Sequence, residues 1–186
     1  MKSVVLIAAL ACVVAGCEEK VKPSVLTTVD SRTQPQQESW NSQIVISDSG
    51  VVRAVIHSGY FKVYEASRTT YLSDSVRVQF YDLDGSPTSL LTSREAAVDE
   101  TTNDLEARGN VVVTSVNGTR LYTEELYWDQ KRQLIHTPAF VRIISPEERL
   151  QGVGMESDQK LKNYRIFRVT GETTGGEGSG EKHIAQ

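Results

Sequence analysis

The side chains that could do chemistry in this chain are few, and their spacing does not assemble a reactive set. Three histidines are spread far apart along the sequence: His57, His136 and His183. They have no metal-ligand spacing with one another, and no Ser–His–Asp or Cys–His set is visible. Asp82 and Asp84 begin like a calcium loop, but the later acidic ligands of such a loop are missing. We therefore predict a protein that is not an enzyme and that carries no metal site and no cofactor.

Cys17 is the one side chain whose surroundings predict a definite modification. It ends the sequence VAGC, which closes an apolar stretch over residues 3–16 and precedes the polar Glu18. That stretch is too short to cross a bilayer, but it has the length of the hydrophobic region of a secretory signal. The sequence VAGC resembles the lipobox of bacterial lipoproteins, in which the Cys thiol carries a diacylglycerol. We predict a signal peptide at 1–16 and lipidation of Cys17, and the alternative is an ordinary signal peptide with a chance Cys.

The distribution of residue types divides the rest of the chain into three parts. All the aromatic residues (2 Trp, 7 Tyr and 4 Phe) lie between Trp40 and Phe167, whereas five of the 13 glycines come after Thr170. Since a packed core needs aromatic side chains and ordering a Gly-rich segment costs much entropy, we predict a folded body at 39–170. The composition of residues 17–38 predicts a flexible tether, and that of residues 171–186 predicts a disordered tail. The net charge of −4 argues against a nucleic-acid partner.

The folded body has the two-residue period of β-strands. Val76, Val78 and Phe80 alternate with polar or amphipathic residues, and short β-branched runs follow later in the chain. Four dipeptides between such runs are turn signals: Asn117-Gly118 and Asp84-Gly85, and more weakly Ser49-Gly50 and Ser58-Gly59. Helical periodicity is poor, since residues 93–98 offer at most one isolated turn. We predict an almost wholly antiparallel all-β domain.

A faint internal repeat runs through the second half of the body. Asp99, Asp129 and Asp158 are 30 and 29 residues apart, and each ends a strand-like segment. Each is followed by a polar turn and by a further segment that carries a leucine: Leu105, Leu134 or Leu161. Such a repeat favours stacked hairpin units that bury their faces on one another, and coincidental strand spacing is the alternative.

Several segments of the body resemble the OstA-like β domains of lipopolysaccharide export, and in particular the LptC family. LEARGNVVV at 105–113 and LYTEEL at 121–126 resemble the family's G-N-V-hydrophobic and L-x-T-x-x-L strands. GVGMESD at 152–158 resembles its closing G-x-G-hydrophobic-x-x-D pattern, and residues 40–83 resemble its aromatic-rich opening. The resemblance covers about 40–169 and implies an open, twisted, antiparallel β-jellyroll.

The resemblance also implies a lipid carrier in the cell envelope. Members of this family accept lipopolysaccharide from an inner-membrane ABC transporter, built from LptB-, LptF- and LptG-like subunits, and pass it to an LptA-like bridge protein. Familiar members are held by an N-terminal transmembrane helix, whereas this chain has a lipobox and a tether, which would hold it to a membrane through lipid. Because Glu18 is ambiguous as a sorting signal, the expected location is the periplasmic side of the envelope, with the inner membrane favoured and the outer membrane open.

Two sets of residues follow from the resemblance. The first is expected to point inward and shelter acyl chains, although plain core packing is the alternative for each member: Val76, Val78, Phe80, Val111, Val113, Leu121, Phe140 and Ile143. The second is expected on edge strands that join partners by strand addition. Its members are Ile44, Ile46, Val52 and Ala54 toward the transporter, and Ile166, Phe167 and Val169 toward the bridge protein.

Two other functions stay open. An envelope adaptor or structural lipoprotein would bind other envelope proteins without carrying lipid, and its interior would be filled rather than grooved. An enzyme acting on envelope glycans would need a cleft that holds two carboxylates about 5–10 Å apart. Three glutamates could supply such a pair, but solvated strand faces explain them better: Glu95, Glu124 and Glu125.

Overall fold

The computed structural model describes residues 34–171 and folds them into eleven β-strands. The strands are β1 (Gln37–Asp48), β2 (Val51–Tyr64), β3 (Thr69–Ser73), β4 (Val76–Tyr81), β5 (Pro87–Ser93), β6 (Glu95–Asp99), β7 (Leu105–Ser115), β8 (Arg120–Asp129), β9 (Leu134–Ile144), β10 (Arg149–Asp158) and β11 (Tyr164–Val169). In this described part, no helix has the length and apolar character needed to cross a membrane. The predicted signal peptide, Cys17, most of the predicted tether and nearly all of the predicted tail lie outside the described residues.

The all-β prediction is confirmed, and the strands form one continuous antiparallel sheet that is creased into two halves. β4 and β5 belong to one half only, the β4–β5 half, and β3 and β6 belong to the other only, the β3–β6 half. Long strands run through both. β2, for example, pairs with β4 through residues 54–57 and with β3 through residues 60–64. In both halves β1 lies at one end and β11 at the other. This arrangement agrees with the expected β-jellyroll.

The crease is built where strands carry left-handed backbone conformations. In β7, Gly109 and Asn110 have φ values of 76° and 50°, and the register with β8 shifts at this point. Gly154 in β10 has a φ of 79°, and the register with β9 shifts there. A Cβ atom at Gly59 in β2 would lie 2.5 Å from the Asp74 carbonyl oxygen, so this close approach requires glycine. Because bulges bend strands, several of them at one level fold the sheet onto itself.

Three of the four turn signals are confirmed, and one is wrong. Ser49 and Gly50 form a two-residue turn with φ values of 51° and 81°, the left-handed pair that this hairpin type requires. Asn117-Gly118 lies in the longer connection between β7 and β8, and Asp84-Gly85 lies in the one between β4 and β5. Ser58-Gly59 is not a turn, because both residues lie inside β2. The glycine there allows the close backbone approach at the crease.

The three repeat aspartates have the same structural role. Asp99, Asp129 and Asp158 end β6, β8 and β10. In each case the carboxylate accepts a hydrogen bond from a backbone amide two or three residues further on, at 2.7, 2.8 and 3.0 Å respectively. Such bonds stabilise turns, because the aspartate side chain mimics a backbone acceptor. The repeat therefore corresponds to three neighbouring hairpins.

The hydrophobic core lies between the two halves. Phe80 of β4 and Trp128 of β8 meet edge to face with their ring centroids 5.0 Å apart, and each side chain is 1% exposed. Phe80 comes from the β4–β5 half and Trp128 from the β3–β6 half, so this contact spans the interior. The buried cluster extends from Ile46 on the first strand to Ile166 on the last. An apolar interior thus runs the length of the domain.

Candidate functional site

The interior between the two halves is the candidate site, and seven of the eight predicted lipid-contact residues point into it. Each of the seven is 1% exposed or less: Val76, Val78, Phe80, Val111, Val113, Leu121 and Ile143. They all belong to the buried hydrophobic cluster. In this structure they pack against one another and against the rest of the core rather than line an open groove.

Phe140 does not point inward, so its predicted orientation is wrong. It is 51% exposed and lies on the outer face beside Tyr122 and Arg142. The reason is parity, because Ile143 is buried and lies three residues further along β9. Residues an odd number of positions apart on a strand face opposite sides of the sheet. Predicting both as inward was inconsistent with a single regular strand.

At the β1 end the interior opens into a cavity of about 270 Å³, which we call the β1 cavity. Apolar side chains from both halves line it: Ile44, Ile46, Phe61, Val63 and Val98. Its rim is polar, since the Thr70 hydroxyl donates a hydrogen bond of 2.6 Å to the Glu100 carboxylate, and both residues line the cavity. An apolar space with a few polar groups at its opening is the usual chemistry of a site for a ligand with a hydrocarbon part.

At the β11 end the interior is closed. Ile166 is 4% exposed, and Glu148, in the turn between β9 and β10, is 5% exposed. The Tyr164 hydroxyl donates a hydrogen bond to the Glu148 carboxylate and so connects that turn to the start of β11. Burial raises the pKa of the Tyr164 hydroxyl above its usual value, and the hydrogen bond to Glu148 raises it further.

Opposite the crease, side chains of the two halves meet along a polar line that we call the seam. Its members are Arg53, Asp82, Ser115 and Glu148 from the β4–β5 half, and Gln133, Gln159, Lys160 and Tyr164 from the β3–β6 half. Lys160 bonds Asp82 at 2.5 Å and thereby lowers the pKa of that carboxyl, while the Ser115 hydroxyl donates to the Lys160 carbonyl oxygen. Among the described residues, no such bond joins the β1–β2 turn to the turns after β2 and β6.

The first and last strands are edges of the described sheet, as predicted, but not every predicted edge residue lies on them. β1 pairs only with β2, and β11 pairs only with β10. β1 carries Ile44 and Ile46, and β11 carries Ile166, Phe167 and Val169. Val52 and Ala54 lie on β2, between β1 and β4, so their placement at an edge is wrong. The Ser49-Gly50 hairpin explains this, because after it β2 runs back alongside β1 on the side away from the edge of the sheet.

An outer groove on the β3–β6 half was not predicted. It measures about 460 Å³ and is lined by Tyr60, Lys62 and Tyr71 together with charged residues of β6 and β7. Trp40 packs against Tyr60 with ring centroids 5.3 Å apart. The signal was available in the sequence, because Tyr60 and Lys62 alternate with residues that point inward.

The side chains considered for catalysis or metal binding are dispersed. Glu124 is exposed and lies 4.0 Å from Arg94. Glu125 accepts a hydrogen bond from the Tyr127 hydroxyl, and His136 stacks on the Tyr127 ring. Among the described residues, no group of three or more His, Cys, Asp or Glu side chains is placed to hold a metal ion. His183 lies outside the described residues.

The comparison with protein families gives a match over most of the chain. A family model described as lipopolysaccharide-assembly, LptC-related, matches residues 4–173. No curated protein matches the chain. The chain therefore belongs to the LptC-related family. Membership makes it a component of lipopolysaccharide transport that acts with the Lpt machinery on the periplasmic side of the envelope, in association with the inner membrane.

Proposed function

We propose that this member of the family takes up lipopolysaccharide at its β1 end and carries the acyl chains between the two halves of the sheet. The β1 cavity is the observation that supports this proposal. It is apolar, it lies at an edge strand, and Ile46 both lines it and belongs to the buried cluster. Burying each CH₂ group of an acyl chain contributes about 0.8 kcal/mol, so such a space attracts hydrocarbon.

Full loading requires the two halves to part. The β1 cavity of about 270 Å³ lies just below the range of roughly 300–1,000 Å³ that ordinary ligand sites occupy. It therefore admits the beginning of an acyl chain, while the packed residues around Phe80 and Trp128 fill the space beyond. Separation of the halves along the seam exposes those apolar residues, and the acyl chains then replace their contacts.

The partners meet the two edge strands. In this proposal the inner-membrane ABC transporter of the LptB, LptF and LptG type adds a strand at β1, and an LptA-like bridge protein adds one at β11. Edge strands present backbone donors and acceptors on their free side, so pairing needs no specific side chains. Phe167 and Val169 on β11 are 37% and 39% exposed and offer apolar contacts to the recipient.

The anchor in this proposal is lipid attached to Cys17. Two or three acyl chains hold a protein stably at a membrane, whereas one chain binds only marginally. A flexible connection of about 20 residues has an r.m.s. span of roughly 25 Å, which lets the β domain reach a transporter beside the anchor. Replacement of Cys17 by Ser is expected to release the protein from the membrane fraction, with immunoblotting of the fractions as the measurement.

The uptake proposal is tested by photo-crosslinking from single positions on β1. A photoreactive amino acid at Ile44 faces the β1 cavity, whereas one at Gln43, the preceding residue, is exposed and lies outside the lining of the cavity. We expect a lipopolysaccharide adduct from position 44 and none from position 43 in a working transporter assembly. Equal adducts from both positions, or none from position 44 during measured transport, would overturn uptake at the β1 end.

An adaptor that binds envelope proteins without carrying lipid is the second candidate. The packed centre and the closed β11 end favour it, since a protein without cargo has no need of an open interior. Depletion of the protein separates the two functions when it is combined with crosslinking. A carrier gives lipopolysaccharide accumulation at the inner membrane together with lipid adducts at position 44, whereas an adaptor gives only protein adducts.

A further inference from the structure

Arg53 is buried in the seam, although regular alternation from the buried Ala54 would place its side chain on the outer face of β2. The pairing of β1 with β2 shifts between Ile46, opposite Ala54, and Ser47, opposite Val52, which leaves Arg53 as the extra residue of a β-bulge. A bulge re-aims the side chain of its extra residue. Arg53 and Ala54 are consequently both buried, at 5% and 0% exposure.

Among the described residues, the guanidinium of Arg53 has a neutral hydrogen-bond partner, and its interaction with the Asp82 carboxylate is electrostatic only. One of its terminal nitrogens, Nη2, donates a hydrogen bond to the Gln133 side-chain oxygen, which also accepts a bond of 2.9 Å from Gln159. The other terminal nitrogen, Nη1, is buried and has no hydrogen-bond partner among the described residues. The nearby carboxylate of Asp82 is held by Lys160 at 2.5 Å.

A buried guanidinium that has no hydrogen-bonded anion is unusual. Burying a charge costs several kcal/mol, so buried guanidinium groups are normally paired with an anion. The guanidinium fork matches the geometry of two oxygens of one phosphate, which it binds through parallel hydrogen bonds. Lys160, in the same part of the seam, is bonded to Asp82 and is also close to the carboxylates of Asp84 and Asp158. The hydrogen-bonding capacity that is left unfilled belongs to the Arg53 guanidinium, whose shape suits an anion with several oxygens.

We propose that Arg53 binds a phosphate group of the glycolipid cargo and exchanges Gln133 for it. The exchange breaks the bond between Arg53 and Gln133, which joins the two halves, so phosphate binding loosens the seam where the acyl chains must pass. This inference rests on the proposed uptake of lipopolysaccharide. It adds a polar site for the headgroup to the apolar interior that takes the acyl chains.

The test compares two lipid probes on the full-length protein in detergent: diphosphoryl lipid A and the same lipid with its phosphates removed. Since a hydrogen bond to a charged group is worth about 1.5–3 kcal/mol, we expect the phosphorylated probe to bind roughly 10- to 150-fold more tightly. Arg53→Met is expected to abolish this preference. Arg77→Gln is the control, because Arg77 is exposed on β4, and it should keep the preference.

A second variant tests the proposal independently in case Arg53→Met does not fold. Gln133→Glu places a carboxylate of the same size against Arg53 and supplies the anion from within the chain. We expect it to lower the preference for the phosphorylated probe several-fold. A cooperative thermal transition checks that the variant is folded, because Glu cannot make the hydrogen bond that the Gln133 amide donates to the Gln130 carbonyl oxygen. An unchanged preference in a folded Gln133→Glu variant contradicts a phosphate site at Arg53.

The probes also separate failure of this inference from failure of the proposed function. If the wild-type protein binds both lipids equally, lipid uptake stands and the phosphate site is overturned. If it binds neither lipid, the proposed function fails and the phosphate site fails with it. Inorganic phosphate is titrated alone as a third probe. If it binds through Arg53 while the lipids bind equally, the site takes free phosphate and its assignment to the cargo is overturned.

Discussion

The β1 end and the β11 end of the interior have the same backbone arrangement and different closures. Each is bordered by an edge strand that pairs on one side only within the described sheet. At the β1 end a cavity of about 270 Å³ separates the halves, and Ile44 is only partly buried. At the β11 end Ile166 is 4% exposed, and the bond from Tyr164 to Glu148 joins the halves. The difference lies in the side chains between the halves and not in the pairing of the strands.

This difference gives the interior a direction. An acyl chain can begin to enter at the β1 end without breaking a hydrogen bond between the halves. To leave at the β11 end it must displace Ile166 and separate Tyr164 from Glu148. A partner that binds better to the opened form shifts the equilibrium toward it by its difference in affinity. Under the proposed function, release at β11 therefore depends on the recipient, whereas uptake at β1 can start without one.

The largest expected effect is a difference in core stability between the two edge strands. Ile166→Ala removes a buried side chain at the closed end and is expected to lower the free energy of unfolding by about 3 kcal/mol. Ile44→Ala, the matched substitution at the open end, should cost about 1 kcal/mol because Ile44 is only partly buried. Urea unfolding followed by circular dichroism measures both values. Equal losses would mean that the two ends are equally packed.

The next effect concerns the polar closure itself. Tyr164→Phe removes the hydroxyl that bonds the buried Glu148, and the loss of a donor to a buried carboxylate should lower the free energy of unfolding by about 2 kcal/mol. Tyr71→Phe is the control near the β1 end, where the ring is 50% exposed. It should change the unfolding free energy by less than about 0.5 kcal/mol. If Tyr164→Phe leaves the free energy of unfolding unchanged, this bond does not close the β11 end.

Much of the fold was predictable because its signals are local. Alternation at Val76, Val78 and Phe80 is a two-residue period that needs no tertiary context, and glycine in hairpins reports a left-handed backbone at one position. Ser58-Gly59 shows the limit of such signals. The same glycine preference arises where two backbones approach closely, and the sequence does not distinguish a bend inside a strand from a turn between strands.

The site was less predictable because it depends on contacts between distant segments. Arg53 and Gln133 are 80 residues apart and meet only because the sheet is creased and a bulge turns Arg53 inward. Neither feature has a sequence signal that strand periodicity could detect. Phe140 is the opposite case, since the parity rule alone, applied from Ile143, places it on the outer face. The two ends also look alike in sequence, since both edge strands carry Ile and Val residues.

Glycine substitutions give a smaller contrast between the two ends. Gly154→Ala at the crease of β10 forces a left-handed alanine with a φ of 79°, and its Cβ would lie 2.9 Å from the Phe167 ring of β11. We expect a loss of about 2 kcal/mol in the free energy of unfolding. Gly50→Ala in the β1–β2 turn has the same left-handed strain but nothing within 4 Å of the new Cβ. It should cost about 1 kcal/mol, with thermal unfolding as the measurement.

The smallest expected effect is a loss of stability at alkaline pH that originates at the β11 end. The folded protein raises the pKa of Tyr164 above its unfolded value, so the neutral hydroxyl is the form that folding favours. Its contribution is complete below the unfolded pKa of about 10 and is lost as the pH rises from there through the folded pKa. Because Tyr164 is only half-buried, we expect the wild-type protein to lose about 1 kcal/mol more than Tyr164→Phe between pH 9 and pH 11.

The matched measurement uses Tyr60, which lies on the outer groove next to β1. Its pKa is also raised, by burial and then by the hydrogen bond to Glu38, but its hydroxyl is open to solvent. Tyr60→Phe should therefore change the pH dependence of urea unfolding less than Tyr164→Phe does. If both variants flatten the alkaline loss equally, the loss comes from tyrosines in general. If only Tyr164→Phe flattens it, the loss reports the opening of the bond to Glu148, and alkaline pH then becomes a way to open the β11 end without a partner.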